Sequence, residues 1–258
     1  IVACLVGSEM CIRDRLSGGS RAVELGLISL KGTKSLANIM FILGLATAAG
    51  ILYMSFLNTG STSNAFYSAI IALIGVLVGY FYTAKPIRLS SRYGLGELSI
   101  FLSFGPLLTL GTGFAIANET ILLYSNEFYN LLILGVPIGL LTTNILFINQ
   151  YPDQASDKIS GKNHLVVLLG KKASRWIYAL NLVLALGSLY FIAENVLVGT
   201  KQMLFLYVLI PITMFYSYFL LSGLFKYYNS RKLIKYNIHT IYFHMLFSFI
   251  YMIILANF

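Results

Sequence analysis

The chain has 258 residues, of which 58% are hydrophobic and only 10% charged, and its mean hydropathy is +0.80. Soluble domains carry about a quarter charged residues, so this composition excludes a water-soluble globular fold and specifies an integral membrane protein. The formal net charge of +9 does not argue for a nucleic-acid partner, because in a chain this apolar lysine and arginine gather in cytoplasmic loops.

Taken in order, residues 1–15, IVACLVGSEMCIRDR, stand apart from the rest. They lack the ordered charged, apolar and small-residue regions of a signal peptide. The run CLVGSEMCIRDR resembles translated sequencing-adapter sequence, so this segment is expected to be non-native and the chain proper to begin near Leu16. Cys4 and Cys11 both fall inside it. Without them the cysteine pattern offers no disulfide, zinc or redox motif.

From Leu36 onward apolar runs of about 20 residues recur, and about 20 helical residues rise roughly 30 Å, enough to cross the hydrocarbon core. Seven spans are expected, at 36–57, 64–83, 98–117, 128–148, 174–194, 203–224 and 238–257. The basic residues give an independent reading. Alternate connections carry Lys31 and Lys34; Lys85, Arg88 and Arg92; Lys158, Lys162, Lys171, Lys172 and Arg175; and Lys226, Arg231, Lys232 and Lys235. The other connections hold Lys201 beside Glu119, Glu127 and Glu194. By the positive-inside rule the basic loops are cytoplasmic and Phe258 is outside, consistent with an odd number of spans.

Gly105-Pro106, Pro137 and Pro211 interrupt these spans, which membrane bundles accommodate by packing against neighbours. The 98–117 span, with Gly105, Gly111 and Gly113, is expected to approach another helix closely. Trp176 and the tyrosines near span ends fit interfacial anchoring. His164, His239 and His244 lack partners at metal-ligand spacing and read as packed or interfacial side chains. The sequence contains no phosphate-binding GxxxxGK[ST] loop and no nucleophile elbow.

Two cytoplasmic stretches carry the candidate chemistry. Tyr82 to Glu97, YTAKPIRLSSRYGLGE, supplies Lys85, Arg88 and Arg92 to meet an anion, with Gly94 and Gly96 to let the backbone turn around it. Read alone, it could also be an ordinary basic loop. Asn149, Asp153 and Asp157 follow at intervals of four, so on a helix they would share one face. These hard oxygen donors suit Mg²⁺, which keeps several waters and shares its coordination with substrate phosphates, while Lys158 and Lys162 could hold further phosphate charge. The competing reading is a solvated loop of mixed charge. Pro152 is expected to produce a kink or loop here that aims the carboxylates into a cavity.

Asn149 to Gly170, NQYPDQASDKISGKNHLVVLLG, resembles the second aspartate-rich motif of the UbiA-type intramembrane prenyltransferases, in the form N-x-x-P-D-x-x-x-D-x-x-x-G-K-x-x-L-x-V-x-L-G. Tyr82 to Glu97 with Phe104-Gly105-Pro106 resembles the family's Y-T-x-x-P-x-x-L-x-x-R-G-L-G-E and F-G-P segments, Tyr93 being an extra residue. Gly18-Gly19-Ser20-Arg21 with Gly26-Leu27-Ile28-Ser29 resembles the stretch after the first aspartate-rich motif in the menaquinone branch, the 1,4-dihydroxy-2-naphthoate prenyltransferases. The resemblance implies an all-α polytopic transmembrane bundle of nine helices, of which seven are present. It makes residues 16–258 a single domain lacking its first two helices and its first aspartate-rich motif, and the chain as written inactive.

The resemblance also implies the roles of the site residues. Mg²⁺ would be held by Asp153 and Asp157, with Asn149 as an added ligand, and Lys85, Arg88, Arg92 and Lys162 would neutralise an isoprenyl diphosphate. Tyr82 would hydrogen-bond phosphate or shield an allylic cation. The cation would alkylate an aromatic acceptor, expected to be 1,4-dihydroxy-2-naphthoate, with 4-hydroxybenzoate or homogentisate as alternatives. The expected location is a prokaryotic cytoplasmic membrane, with the site facing the cytoplasm and the prenyl tail in the lipid bilayer. A transporter of an anionic lipid or metabolite is the alternative from another class. It would place charge near the midplane on paired broken helices, whereas here charge lies at span ends and no internal repeat is visible.

Overall fold

In hydrocarbon every backbone N–H and C=O must pair within the protein, so long apolar runs become helices. In the computed structural model, which describes residues 26–59 and 62–256, the chain is all-α. Helix α1 (Leu30–Thr59) is followed by α2 (Thr62–Thr83), and a short 3-10 turn at Leu89–Ser91 leads into α3 (Leu95–Phe104) and α4 (Pro106–Ile116). The longest helices are α5 (Asn126–Ile159) and α6 (Leu165–Asn195). The short α7 (Gly199–Leu204) passes through a π-turn at Phe205–Leu209 into α8 (Ile210–Tyr227), and α9 (Leu233–Ala256) follows. With α3–α4 and α7–α8 each counted as one, seven spans are long and apolar enough to cross a membrane among the described residues, as expected. Residues 1–15 and the Gly18-Gly19-Ser20-Arg21 stretch lie outside the described residues.

Helix ends differ from the hydropathy limits for local reasons. Helix α1 starts at Leu30 because Ser29 Oγ accepts from Gly32 N–H at 3.0 Å, an N-cap three residues ahead. Helix α6 starts at Leu165 rather than 174, and is interrupted at Gly170, whose φ of 77° no helix supports. The expected kink or loop at Pro152 gives way to a helix assigned without interruption through to Ile159. Proline removes one amide, leaving the carbonyl four residues earlier without its helical donor. The helix persists through that loss because α5 makes its largest interface with α6.

The α3–α4 break at Gly105-Pro106 brings backbone against backbone. A Cβ on Gly105 would lie 2.7 Å from Gly135 O, and one on Gly139 would lie 2.5 Å from Phe101 O, so only glycine admits this approach. Helix α5 is the axis of the bundle: half of its most apolar window is buried, against 6% for α1 and α2. The core gathers Phe147, Tyr151, Tyr178, Leu182, Phe205, Phe243 and Phe247. Several polar groups within it are paired, as a low dielectric favours. Asn144 Nδ2 donates to Tyr178 O, Asn181 Nδ2 donates to Asn144 Oδ1, and Tyr251 Oη donates to Leu134 O. At the acidic end Asn64 donates to Glu119 O and accepts from Ile121 N–H, and Lys201 Nζ donates to Leu255 O. That end of the bundle is thereby fastened, and the basic end carries the candidate site.

Candidate active site

Two connections meet at the basic end, α2–α3 and α5–α6. In the first, Arg88 takes the left-handed conformation (φ 47°) at the entry to the 3-10 turn, and the Lys85–Pro86 peptide is cis. Arg92 folds back on the loop, its Nε donating to Ile87 O at 2.6 Å and Nη2 to Pro86 O at 2.9 Å. Gly94 at φ 86° then turns the chain into α3. In the second, Gly161 at φ 76° reverses the chain after α5, and His164 is the N-cap of α6.

The two loops pair like a fragment of sheet: Tyr93 N–H donates to Asn163 O at 2.8 Å and Asn163 N–H to Ser91 O at 3.1 Å. Below them Glu97, 4% exposed, accepts from Gln150 Nε2 and from Leu165 N–H through the same Oε1, both at 3.1 Å. One carboxylate thus joins α3, α5 and the start of α6. Between the loops lies a polar pocket of about 230 Å³ lined by Pro86, Arg88, Ser91, Arg92, Tyr93, Gly161 and Asn163.

Asn149, Asp153 and Asp157 occupy successive turns at the end of α5. Asp157 is held at both oxygens: Lys162 Nζ lies 2.7 Å from Oδ1 and His164 Nε2 lies 3.0 Å from Oδ2. A carboxylate can only accept, so Nε2 carries the hydrogen in this pair. Lys162 also donates its backbone N–H to Asp157 O. Asn149 Oδ1 accepts from Asn237 Nδ2 of α9 at 3.3 Å. Tyr82 is half-buried on the last turn of α2, and Lys85 is exposed beside Pro86.

The structure therefore brings Asp157 and Lys162 into contact, and sets Arg88 and Arg92 around a pocket shared with the residues flanking Lys162. It adds three residues that sequence reasoning passed over: His164, Glu97 and Asn237. His164 is seven residues from Asp157 across a glycine turn, outside the spacing of ligands on one helix. Glu97 had a visible signal, since a carboxylate at the mouth of an apolar span needs a partner.

A membrane bundle that gathers carboxylates, cations and backbone turns at one end is a membrane-embedded protein with a candidate polar site at that end. The family model described as the UbiA prenyltransferase family matches residues 14–250, and the chain belongs to that family. It is 31% identical over 172 residues to the 2-carboxy-1,4-naphthoquinone phytyltransferase of Synechocystis sp., covering 64% of this chain and 49% of that protein. It is 32% identical over 189 residues to the 1,4-dihydroxy-2-naphthoate octaprenyltransferase of Escherichia coli (70% of this chain, 54% of the relative). Against the Bacillus subtilis protein of the same name it is 28% identical over 123 residues (48% and 37%). The chain thus spans about half the length, or less, of these relatives. No solved structure matches it.

Proposed function

We propose that the protein transfers a polyprenyl group from an isoprenyl diphosphate to an aromatic acceptor, with 1,4-dihydroxy-2-naphthoate as acceptor in menaquinone synthesis. The observation that carries this reading is the α5–α6 junction of a member of a prenyltransferase family, where Asp157, one turn after Asp153 on α5, pairs with Lys162 and the next residue, Asn163, pairs with the Arg88 loop. The names of its naphthoate-modifying relatives support the acceptor.

Prenyltransferases of this family generally depend on a divalent metal. Among the described residues no group of three or more His, Cys, Asp or Glu could form a full metal cage. The donors present still fit Mg²⁺, which takes one or two carboxylates and completes its shell with water and phosphate oxygens. Asp153 and Asp157 would hold it, with Asn149 Oδ1 as a further oxygen. Bound there, the metal would stabilise the negative charge that grows on the departing diphosphate.

Lys85, Arg88, Arg92 and Lys162 neutralise the diphosphate where charge develops as the allylic C–O bond breaks. Arg92 acts largely through the loop it shapes. Tyr82, half-buried on the last turn of α2, supplies a ring face to shield an allylic cation. An apolar groove of about 340 Å³, walled by residues such as Ile51, Leu52, Ile71, Leu107 and Leu108, suits the prenyl tail. Each methylene kept from water there contributes about 0.8 kcal/mol. The charge distribution supports a cytoplasm-facing site, and the bacterial relatives support a prokaryotic inner membrane.

The test uses membranes carrying the protein expressed from its whole gene, supplied with radiolabelled polyprenyl diphosphate and each of 1,4-dihydroxy-2-naphthoate, 4-hydroxybenzoate and homogentisate. Label should appear in a prenylated naphthoate product, vanish with chelator and return with Mg²⁺. Asp153→Ala should lower the rate by about 100-fold or more without loss of membrane insertion. Label crossing the bilayer with no new carbon–carbon bond would overturn the reading in favour of transport.

A further inference from the structure

The two donors that hold Asp157 differ in kind. His164 is 2% exposed and fixed from both sides: its carbonyl accepts from Val167 and Leu168 N–H as the α6 N-cap, and the next amide, Leu165 N–H, is held by buried Glu97. With its backbone fixed and its ring buried, the imidazole has little room to swing away from Asp157 Oδ2. Lys162 is the opposite case. Its side chain is 27% exposed, and a flexible four-carbon stem carries its ammonium to Asp157 Oδ1. A compact monovalent cation therefore stands against one oxygen of Asp157, while a rigid neutral-capable donor orients the other.

We propose that His164 is a positioning residue that holds Oδ2 of Asp157 permanently, so that Oδ1, now paired with Lys162, is the oxygen presented to a divalent cation, Lys162 being the exchangeable partner. This rests on the metal-diphosphate reading above. The Lys162 ammonium would yield Oδ1 to a divalent cation, because two like charges compete for that oxygen and the divalent ion is the stronger partner. Lys162, released but still tethered by its backbone N–H to Asp157 O, is then available to a phosphate oxygen. His164 meanwhile keeps the carboxylate from rotating, as donors behind a ligating side chain do at metal sites generally.

The experiment is a Mn²⁺ titration of the purified protein, read by electron paramagnetic resonance of the free ion, without substrate and without turnover. Glutamine carries its N–H near the position of imidazole Nε2, asparagine near Nδ1, so the two amides differ in donor placement. His164→Gln should bind Mn²⁺ within about threefold of wild type, whereas His164→Asn and His164→Phe should bind about 10- to 100-fold more weakly. Lys162→Ala should bind Mn²⁺ alone as well as wild type or better, yet lose about tenfold in affinity for inorganic diphosphate added with Mn²⁺. Thermal melting identifies variants that have kept the fold, and the asparagine–glutamine contrast stands even if the phenylalanine variant does not fold.

If Asp157→Asn abolishes Mn²⁺ binding but His164→Asn leaves it unchanged, the positioning role is overturned while the metal reading survives. Lys162→Ala weakening Mn²⁺ as much as His164→Asn overturns the division between fixed and exchangeable partners. Unaltered Mn²⁺ binding in Asp157→Asn removes the metal reading itself.

Discussion

Arg92 and Arg88 sit four residues apart in one loop and do different work. Two nitrogens of Arg92 hold the carbonyls of Ile87 and Pro86, a fork that lysine cannot reproduce. Arg92→Lys should therefore weaken diphosphate binding by distorting the loop, with little change in its salt dependence. Arg88→Ala should weaken binding by about tenfold and flatten the salt dependence, since a charge at the phosphate is lost. Competition with inorganic diphosphate at low and high salt separates the two, and an unchanged salt slope for Arg88→Ala would remove Arg88 from the phosphate site. Glu97 is a stability question. Glu97→Leu strands Gln150 Nε2 and the Leu165 amide in a buried site, about 1–3 kcal/mol for each unpaired group, so the melting temperature should fall well below that of Glu97→Gln, which retains an acceptor. Asp153, Asp157 and the cationic loop stand out as candidates in the sequence because motif and spacing are written along the chain. His164 was not, because its pairing with Asp157 depends on how Gly161 reverses the backbone.

Among the elements, α5 shows where local rules yield to packing. Proline at 152 argues for a break, yet the helix continues, and Asn149, Asp153 and Asp157 line its last turns because it does. The sequence pattern located all seven spans, since each must satisfy its own backbone in hydrocarbon. It misplaced ends such as the start of α6, which lies before the Gly170 interruption at the His164 cap, since helices continue past the apolar layer until a cap stops them. The close approach expected of the Gly105 span is present, and its partners, Gly135 and Gly139, became evident only in three dimensions. A side chain at 139 would strike the Phe101 carbonyl, so Gly139→Val should part α3 from α5. The expected loss is about 1–3 kcal/mol, read as a lower melting temperature in detergent. Gly44→Val, on open α1 surface, is the control and should melt near wild type.

For the molecule as a whole, the alternation of basic and acidic connections fits the observed order of helices, with the candidate site on the basic side. Orientation in the membrane can be checked with single cysteines in a Cys4→Ser, Cys11→Ser background. Ser160→Cys and Asn229→Cys should be blocked only by a thiol reagent that reaches the cytoplasm, Thr200→Cys by an impermeant one outside. The reverse pattern would place the site on the wrong face for a cytoplasmic diphosphate. Charge made this level of organisation legible from sequence; the pairing of two distant loops was not, because hydrogen bonds between backbones leave no residue signature.

That pairing also sets an order of events during synthesis. Glu97 and Leu165 are 68 residues apart, and at about 5–20 residues per second a ribosome needs roughly 3–14 s to pass from one to the other. For most of that interval α3 is made but its buried carboxylate has neither of its donors, Gln150 following Glu97 by 53 residues, and the Arg88 loop has no Asn163 to pair with. The α3–α4 span must therefore wait, held at the translocon or shielded by the headgroup layer, until α5 has entered and the chain has turned at Gly161. Completion of the site coincides with the docking of these two hairpins, so an early pause or an arrested chain ending before Leu165 should leave the first loop open to protease and the same loop protected once α6 has begun.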